Sequence, residues 1–218
     1  MIGVSIVIPV KTSEDPMLND CITSLKELTV SEPIEIIVAE GGTIAQARNK
    51  GIQFAKGEII VTMDSDGQHD PDDIFSLIKP ILDREVDYTI GSRYLGNYYY
   101  KLPISTRFGE VLTEKLIQIL FGIKIKNNQN GFRAYKREII EKFNKKLFID
   151  YAFCTEQILQ AKLYGYRIRE CPIKVYEREF GSSKVILPKI TLNIFSCLLI
   201  YSMKRIIMLM HRNRRKII

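Results

Sequence analysis

Apolar runs and amphipathic stretches alternate along the first 91 residues. The apolar runs are short and rich in Val and Ile, which indicates buried strands, whereas the stretches between them repeat apolar residues with the 3.6-residue period of helices. Strands are predicted at residues 4–10, 34–39, 58–63 and 86–90, and helices at 17–28, 44–55 and 72–82. This alternation is typical of an α/β domain whose parallel strands are joined by crossover helices.

The pattern changes after Gly91. Residues 94–100 are rich in Tyr and predict a mobile loop, and residues 126–131 contain three asparagines and predict a polar turn. The further predicted elements are helix 104–121, a short strand or turn at 132–135, helices 136–143 and 155–164, and strand 166–175. Because no internal repeat or linker is found, residues 1–186 are predicted to form one domain, followed by a helical tail at 187–218.

Three oxygen-bearing side chains follow the third predicted strand at alternate positions. Asp64, Asp66 and Gln68 point to one side if the chain stays extended. Carboxylate and amide oxygens at the carboxyl edge of a sheet suit Mg²⁺ or Mn²⁺ that carries substrate phosphates. The alternative is a simple turn, in which Asp70 and Pro71 cap the following helix. Such a cap leaves the spacing of the other three residues unexplained.

Composition and cysteine spacing narrow the class of protein. With 46% apolar and 26% charged residues, the chain is ordinary for a globular protein. The four cysteines lack the spacing of a zinc site or of a disulfide framework. The apolar start lacks a basic flank and a cleavage site, so it is predicted to be a strand rather than a signal peptide. A cytoplasmic location is therefore expected.

All of the net positive charge lies in the tail. Eight basic residues and no acid follow Glu179, although the whole chain carries a formal charge of only +7. The longest uncharged run, residues 190–203, is shorter than the roughly 20 residues that cross a bilayer as a helix. A basic amphipathic helix on an anionic membrane surface is expected, and the alternative is a helix that covers its own domain or a partner. A nucleic acid partner is not expected, because the rest of the chain is near-neutral.

Seven short motifs occur in order along residues 3–184. They are Val7-Ile8-Pro9, Ala47-Arg48-Asn49-Lys50-Gly51, the stretch 63–69, Gly91-Ser92-Arg93-Tyr94, the stretch 130–135, Glu170-Cys171-Pro172-Ile173, and Arg178-x-x-Gly181-x-Ser183-Lys184. Together they resemble the family 2 glycosyltransferases of GT-A fold, and among these the dolichyl- or polyprenyl-phosphate mannose and glucose synthases. The resemblance implies a mostly parallel sheet with flanking helices, to which the amphipathic tail is added.

By this resemblance the metal site binds a nucleotide sugar. Asp64, Asp66 and Gln68 would hold Mg²⁺ or Mn²⁺ on the sugar-nucleotide diphosphate, with Asp64 also near the ribose and Asp66 acting in catalysis. Donor contacts are implied for Pro9, Glu40 and Arg48.

The resemblance also implies two groups of phosphate-binding residues. Arg178, Ser183 and Lys184 would face phosphates of the donor or the acceptor, and Arg178 and Lys184 are counted as catalytic. Arg93 and Arg107 would hold an acceptor phosphate, since the arginine fork can donate two hydrogen bonds to one phosphate. For both of these arginines, the alternative is a solvated face or a surface ion pair.

Two departures from the family pattern affect the substrate. One strand–helix unit is missing before the Ala-Arg-Asn motif, which leaves Glu40 as the acid nearest the base or ribose and keeps GDP and UDP donors open. Asn127 replaces an acid that relatives often have. A hydroxyl acceptor needs a carboxylate base, whereas a phosphate is largely dianionic at neutral pH. Asn127 therefore favours a phosphate acceptor, and Glu156 is the candidate base if the acceptor is a hydroxyl.

These features predict an inverting, metal-dependent enzyme that is peripheral on the cytoplasmic face of a membrane. It would move mannose or glucose from a nucleotide diphosphate sugar to polyprenyl or dolichyl phosphate. One alternative is a family 2 transferase acting on the hydroxyl of a glycan or lipid-linked sugar. The other is a GT-A domain that binds nucleotide sugar or membrane without turnover.

Overall fold

The elements of the chain follow the alternating order that the hydrophobic pattern predicts. The computed structural model describes residues 3–12, 14, 16–28, 32–143, 148, 152–177 and 187–214. Its strands are β1 (Val4–Val10), β2 (Ile34–Glu40), β3 (Ile59–Thr62), β4 (Tyr88–Tyr98), β5 (Arg133–Lys136) and β6 (Ile168–Val175). Its helices are α1 (Leu18–Glu27), α2 (Ile44–Phe54), α3 (Ile74–Leu82), α4 (Ile104–Phe121), α5 (Arg137–Lys142), α6 (Phe153–Leu163) and α7 (Leu187–Arg214). A short 3-10 helix, Pro71–Asp73, precedes α3.

The strands form a six-stranded sheet in the order β2-β1-β3-β5-β4-β6. Strand β1 pairs in parallel with β2 and β3, and β4 pairs in parallel with β6. The short strand β5 lies between β3 and β4 and is antiparallel to both. The predicted α/β class and mostly parallel sheet are therefore confirmed. The insertion of β5 between β3 and β4 is a tertiary feature that the pattern did not show, because a four-residue strand carries little periodicity.

Strand β1 is buried on both faces because helices cover the sheet from either side. Val4, Ile6 and Ile8 belong to a cluster that includes side chains of α1 and α3, whereas Val7 belongs to a cluster with side chains of α2 and α6. This division follows from the two-residue period of a strand. A strand with two buried faces appears in the sequence as a continuous apolar run, which is how β1 was recognised.

Residues 94–100, predicted to be a mobile loop, are mostly strand. Strand β4 continues to Tyr98 and pairs with β6 in an irregular register. Gly96 allows the two backbones to approach, because a side chain there would overlap the carbonyl of Ile173. The loop prediction is therefore wrong. Tyrosines favour extended pairing, and this glycine serves close contact between strands.

Helix α7 packs one face against the domain and leaves the opposite face exposed. Ile194, Leu198 and Tyr201 are buried in a cluster with side chains of α4 and α6. The exposed apolar side chains of α7 include Leu192, Phe195, Leu199, Met203 and Ile206. The stretch Lys189–His211 is long and apolar enough to cross a membrane by length and composition alone, and 22% of its most apolar window is buried. The predicted tail helix is thus present and partly covers its own domain, and the boundary at residue 186 stays a prediction.

We expect Gly51→Ala to lower the free energy of unfolding by about 1 to 3 kcal/mol, measured by urea denaturation, because overpacking strains a dense core. The added methyl would overlap Val7 Cγ1 and lie 3.0 Å from Ala39 Cβ. The control is Gly109→Ala on α4, where a methyl meets nothing within 4 Å. Ala favours a helix over Gly by about 1 kcal/mol, so the control should be at least as stable as the parent. Equal stability of Gly51→Ala and the parent would contradict the close packing of α2 on β1 and β2.

Candidate functional site

The carboxyl ends of β1, β2 and β3 meet at one edge of the sheet, which is where open α/β sheets bind ligands. Strand β3 ends at Thr62, two residues before Asp64. A cavity of about 300 Å³ opens beside this strand end. Its lining includes Met63, Asp64, Ser65, His69, Asp70 and Tyr176.

A buried ion pair fixes the first carboxylate of this site. Arg48, on α2, is only 4% exposed and donates from Nη2 to Oδ1 of Asp64 at 2.7 Å. Burial alone would lower the pKa of Arg48, but the charge of Asp64 outweighs burial and raises that pKa, so the guanidinium stays protonated. Gly131 packs against both partners, since a Cβ there would lie 2.5 Å from Asp64 Oδ2 and 2.6 Å from Arg48 Nη2. Arg48 thus holds Asp64, and its predicted donor contact stays a prediction.

Asp66 and Gln68 lie half-buried in the loop after Asp64. Oδ1 of Asp66 accepts a hydrogen bond from the backbone N–H of Gln68 at 3.2 Å, and Nε2 of Gln68 donates to the carbonyl of Tyr176 at 3.3 Å. Among the residues that the structure describes, no group of three His, Cys, Asp or Glu side chains is arranged to hold a metal. Two carboxylates and an amide oxygen nevertheless fit Mg²⁺ or Mn²⁺, which keep water and substrate oxygens in their coordination. The metal site stays a prediction that rests on donor chemistry.

The helix cap predicted at Asp70 and Pro71 is confirmed. Oδ1 of Asp70 accepts from the backbone N–H of Asp72 at 3.1 Å, and Pro71 opens the 3-10 helix. Oδ2 of Asp70 also pairs with Nζ of Lys174 on β6 at 2.9 Å. Burial raises the pKa of Asp70, but the hydrogen bonds from Lys174 and the cap outweigh burial and lower it. Residues 63–70, which follow β3, are called the acidic loop below. The ionised cap at Asp70 ties the end of this loop to β6.

His69 was given no role from the sequence, yet it lies beside the predicted metal ligands. Its ring centroid is 4.9 Å from that of Phe132, and its enclosed Nδ1 has no hydrogen-bond partner among the described residues. Burial lowers the pKa of His69, although the carboxylates of Asp64 and Asp66 act in the opposite direction. In a neutral imidazole one ring nitrogen donates a hydrogen bond, and the other can accept one or bind a metal. The one signal in the sequence is its position directly after Gln68.

A second charged cluster forms where β4 meets α4. Nη2 of Arg93 is ion-paired with Oε1 of Glu110, and the hydroxyl of Tyr94 donates to Oε2 of the same carboxylate. Nη1 of Arg93 donates to the hydroxyl of Tyr100 at 2.5 Å. The guanidinium of Arg107 lies 4.0 Å from the Tyr94 ring centroid, and its Nη1 lies 4.0 Å from Glu110. The two arginines predicted to hold an acceptor phosphate are thus neighbours, and sequence reasoning missed the carboxylate beside them.

An apolar groove of about 390 Å³ runs between α4 and α7. Glu110 forms part of its wall, and the polar residues Asn128 and Gln129 also line it. The apolar lining includes Phe108, Leu112, Leu116, Ile194, Phe195 and Leu198. The charged cluster therefore borders a groove that suits a hydrocarbon chain.

Glu156, the candidate base for a hydroxyl acceptor, is fully buried. Its carboxylate accepts hydrogen bonds from the hydroxyl of Tyr201 at 2.7 Å and from the backbone N–H of Phe148 at 3.1 Å. A catalytic base must reach the acceptor hydroxyl, and Glu156 instead lies under α7, so the structure argues against that role. The sequence could not show this because Tyr201 lies 45 positions away.

The other predicted site residues fall into two groups. Pro9 is buried near the end of β1, and Glu40 is exposed at the end of β2, so both lie at the carboxyl edge of the sheet. Their contacts with a donor stay predictions. Arg178, Ser183 and Lys184 lie outside the described residues.

The sequence of the chain is similar to that of known glycosyltransferases. Residues 40–143 match the model of "Glycosyl transferase family 2". A UDP-N-acetylglucosamine–dolichyl-phosphate N-acetylglucosaminyltransferase of Methanococcus voltae is 29% identical over 77% of this chain and 67% of its own length. A polyprenol monophosphomannose synthase of Mycolicibacterium smegmatis is 32% identical over 58% of this chain and 49% of its own length. The chain thus matches about half to two thirds of these relatives.

A solved structure shares the fold at low sequence identity. Glucosyl-3-phosphoglycerate synthase from Mycobacterium tuberculosis, in complex with Mn²⁺, UDP and phosphoglyceric acid, superposes with a TM-score of 0.69. It is 18% identical, and the match covers 92% of this chain and 78% of that one. The GT-A-like fold predicted from the motifs is therefore confirmed.

We expect Gly131→Ala to weaken Mn²⁺ binding by about tenfold or more, because displacing the partner of a metal ligand typically costs that much affinity. The added Cβ would push Asp64 and Arg48 apart. Free Mn²⁺ is measured by electron paramagnetic resonance during titration. Gly109→Ala, which adds the same methyl in open space, should bind Mn²⁺ as the parent does. Parent-like affinity in a folded Gly131→Ala variant would show that the Arg48–Asp64 pair does not support a metal site.

Proposed function

We propose that the chain, whose residues 40–143 match the model of glycosyl transferase family 2, transfers a hexose from a nucleotide diphosphate sugar to a polyprenyl or dolichyl phosphate. The observation that carries this proposal is the contact between the arginine cluster and the apolar groove. Arg93 is ion-paired with Glu110, and Glu110 lines the groove between α4 and α7. A lipid phosphate has a head that arginines bind and a chain that the groove accommodates.

The donor would bind at the carboxyl edge of the sheet. Asp64, Asp66 and Gln68 would hold Mg²⁺ or Mn²⁺, and when bound this ion supplies charge neutralisation on the departing nucleoside diphosphate. Arg48 orients Asp64 through the 2.7 Å ion pair. The Mn²⁺ in the complex of the mycobacterial synthase supports the choice of metal.

The acceptor would act without a protein base. A phosphate monoester is largely dianionic at neutral pH and attacks the sugar carbon directly, with inversion. Asn127 fits this chemistry because its backbone N–H donates to Glu170 at 2.8 Å and its side chain to the carbonyl of Gly91 at 3.4 Å, so it serves structure. The burial of Glu156 and its hydrogen bond from Tyr201 support an acceptor that needs no protein base.

The named relatives support the acceptor class and leave the sugar open. One is named for a dolichyl-phosphate acceptor and the other as a polyprenol monophosphomannose synthase, with N-acetylglucosamine and mannose as their respective sugars. The motifs favour mannose or glucose, so these remain the proposed sugars. The nucleotide remains GDP or UDP.

We further propose that the exposed apolar face of α7 rests on the cytoplasmic face of a membrane. Lys204 and Arg205 lie on this helix, and the basic residues after them in sequence add positive charge that anionic headgroups attract. Helix α4, which forms the groove together with α7, also exposes apolar side chains. Ile104 is 88% exposed and Phe108 is 72% exposed. Membrane contact would bring the groove to the lipid acceptor.

The decisive experiment compares donors, metals and acceptors in one assay. Release of nucleoside diphosphate from UDP- and GDP-sugars is measured with Mg²⁺ or Mn²⁺, in the presence of farnesyl phosphate or farnesol. We expect release that needs the metal and farnesyl phosphate. Equal release with farnesol would transfer the assignment to a hydroxyl acceptor, and release with none of the donors would support the non-catalytic alternative.

We expect Asp66→Asn to fold normally and to lose at least about 100-fold in kcat/KM, because an amide replaces a charged metal ligand in a near-isosteric side chain. The same assay and a thermal melt measure the two effects. Asp72→Asn is the control, since Asp72 lies in the 3-10 helix and outside the proposed ligand set. Full turnover by Asp66→Asn, or turnover that survives chelation, would refute the metal-dependent mechanism.

We expect the triple change Leu199→Ser, Met203→Ser and Ile206→Ser to reduce sedimentation with phosphatidylglycerol vesicles by about tenfold or more, because apolar burial holds interfacial helices. Removal of the whole helix is a poorer test, since it would uncover the buried side chains of α4. Phe54→Ser on α2, where Phe54 is 61% exposed, is the matched control. Vesicle binding that is unchanged in the triple variant, or absent in the parent, would show that this face does not contact lipid.

A further inference from the structure

Glu110 places a negative charge in the proposed acceptor site, where a pocket that binds phosphate would need only positive charge and hydrogen-bond donors. Its side chain is 11% exposed and holds Arg93, whose side chain is 15% exposed. Its second oxygen accepts from Tyr94. Two arginines and a tyrosine hydroxyl therefore surround one carboxylate, which occupies the place where an incoming anion would be attracted.

Two hydrogen-bond donors of the arginines near Glu110 are left without an acceptor by its carboxylate. Nε of Arg93 and Nη1 of Arg107 are buried without a hydrogen-bond partner among the described residues. Arg107 lies 4.0 Å from Glu110, which is too long for a hydrogen bond. A phosphate has more oxygens and more charge than a carboxylate, so it could satisfy donors that Glu110 leaves open.

We propose that Glu110 is an internal anion that sets acceptor specificity by competing with the acceptor phosphate for Arg93 and Arg107. This inference rests on the proposed lipid-phosphate acceptor. Displacing Glu110 breaks an ion pair and a hydrogen bond, and this loss offsets much of what a small anion gains from the two arginines. A lipid phosphate also buries its chain between α4 and α7, so only an acceptor with both parts displaces the carboxylate efficiently.

The position of Glu110 on α4 supports this competition. The residue lies on the wall of the groove, so the acceptor chain and the carboxylate meet at the same place. A role for Glu110 as a catalytic base fits less well, because one of its oxygens accepts a hydrogen bond from Arg93 and the other accepts one from Tyr94.

The test measures binding of farnesyl phosphate, farnesol and inorganic phosphate to the full chain by isothermal titration calorimetry. In Glu110→Gln, inorganic phosphate should bind about tenfold more tightly than in the parent, as expected when a competing charge-assisted contact is lost. The preference for farnesyl phosphate over inorganic phosphate should shrink accordingly. The matched control is Glu114→Gln, one turn further along α4, where Glu114 is buried and faces Lys124 at 4.0 Å instead of the arginines.

Two other results would overturn the proposal. Weaker binding of both phosphates to Glu110→Gln would show that Glu110 only positions Arg93, and unchanged binding would show that it does not compete. Glu110→Asp, which keeps the charge on a shorter side chain, should fall between the parent and Glu110→Gln and serves if the glutamine variant fails to fold. A parent that binds farnesyl phosphate no better than farnesol would instead reject the lipid-phosphate function itself.

Discussion

A buried arginine that neutralises the carboxylate at the end of β3 is the constraint on which the site depends. Arg48 reaches from α2 to Asp64 across the sheet edge, and Gly131 is packed so closely against the pair that no side chain fits. A guanidinium buried without its carboxylate would be strongly unfavourable, so Asp64 cannot turn away without a cost. Oδ1 of Asp64 is thereby fixed, so the start of the acidic loop is held in place before any ligand binds.

The polar turn at 126–131 connects this constraint to the second charged cluster. Backbone N–H groups of Lys126 and Asn127 donate to Glu170 on β6 at 3.0 and 2.8 Å. Arg133, fully buried, donates to the carbonyl of Asn130 at 2.5 Å and so holds the other end of the turn. The turn places Gly131 on Asp64 and carries the polar residues that line the groove. The proposed donor and acceptor sites therefore share one backbone segment, which is held at both ends by hydrogen bonds.

The sequence predicts what depends on local pattern and misses what depends on partners far along the chain. β1 and β3 were found because buried strands are continuous apolar runs. Asp64, Asp66 and Gln68 were singled out as candidate metal ligands because their spacing is local, and that role stays a prediction. The position of β5 in the sheet was not found, since pairing is a tertiary choice. Glu110 was missed because an acid on a helix ordinarily faces solvent. Glu156 was assigned a base role because nothing local shows that Tyr201 will cover it.

Helix α7 combines packing on the domain with the face that we propose contacts a membrane. Its inner face shares a core with Ile117 and Phe121 of α4, and its outer face is apolar and exposed. Helix α4 carries Glu110 on the groove side, so the two helices that would touch lipid also line the proposed acceptor site. A packed interface transmits small shifts rather than absorbing them. Helix α7 is thus a wall of the proposed acceptor site rather than a detachable anchor. Changes to its inner face will alter the groove and the stability of the domain together.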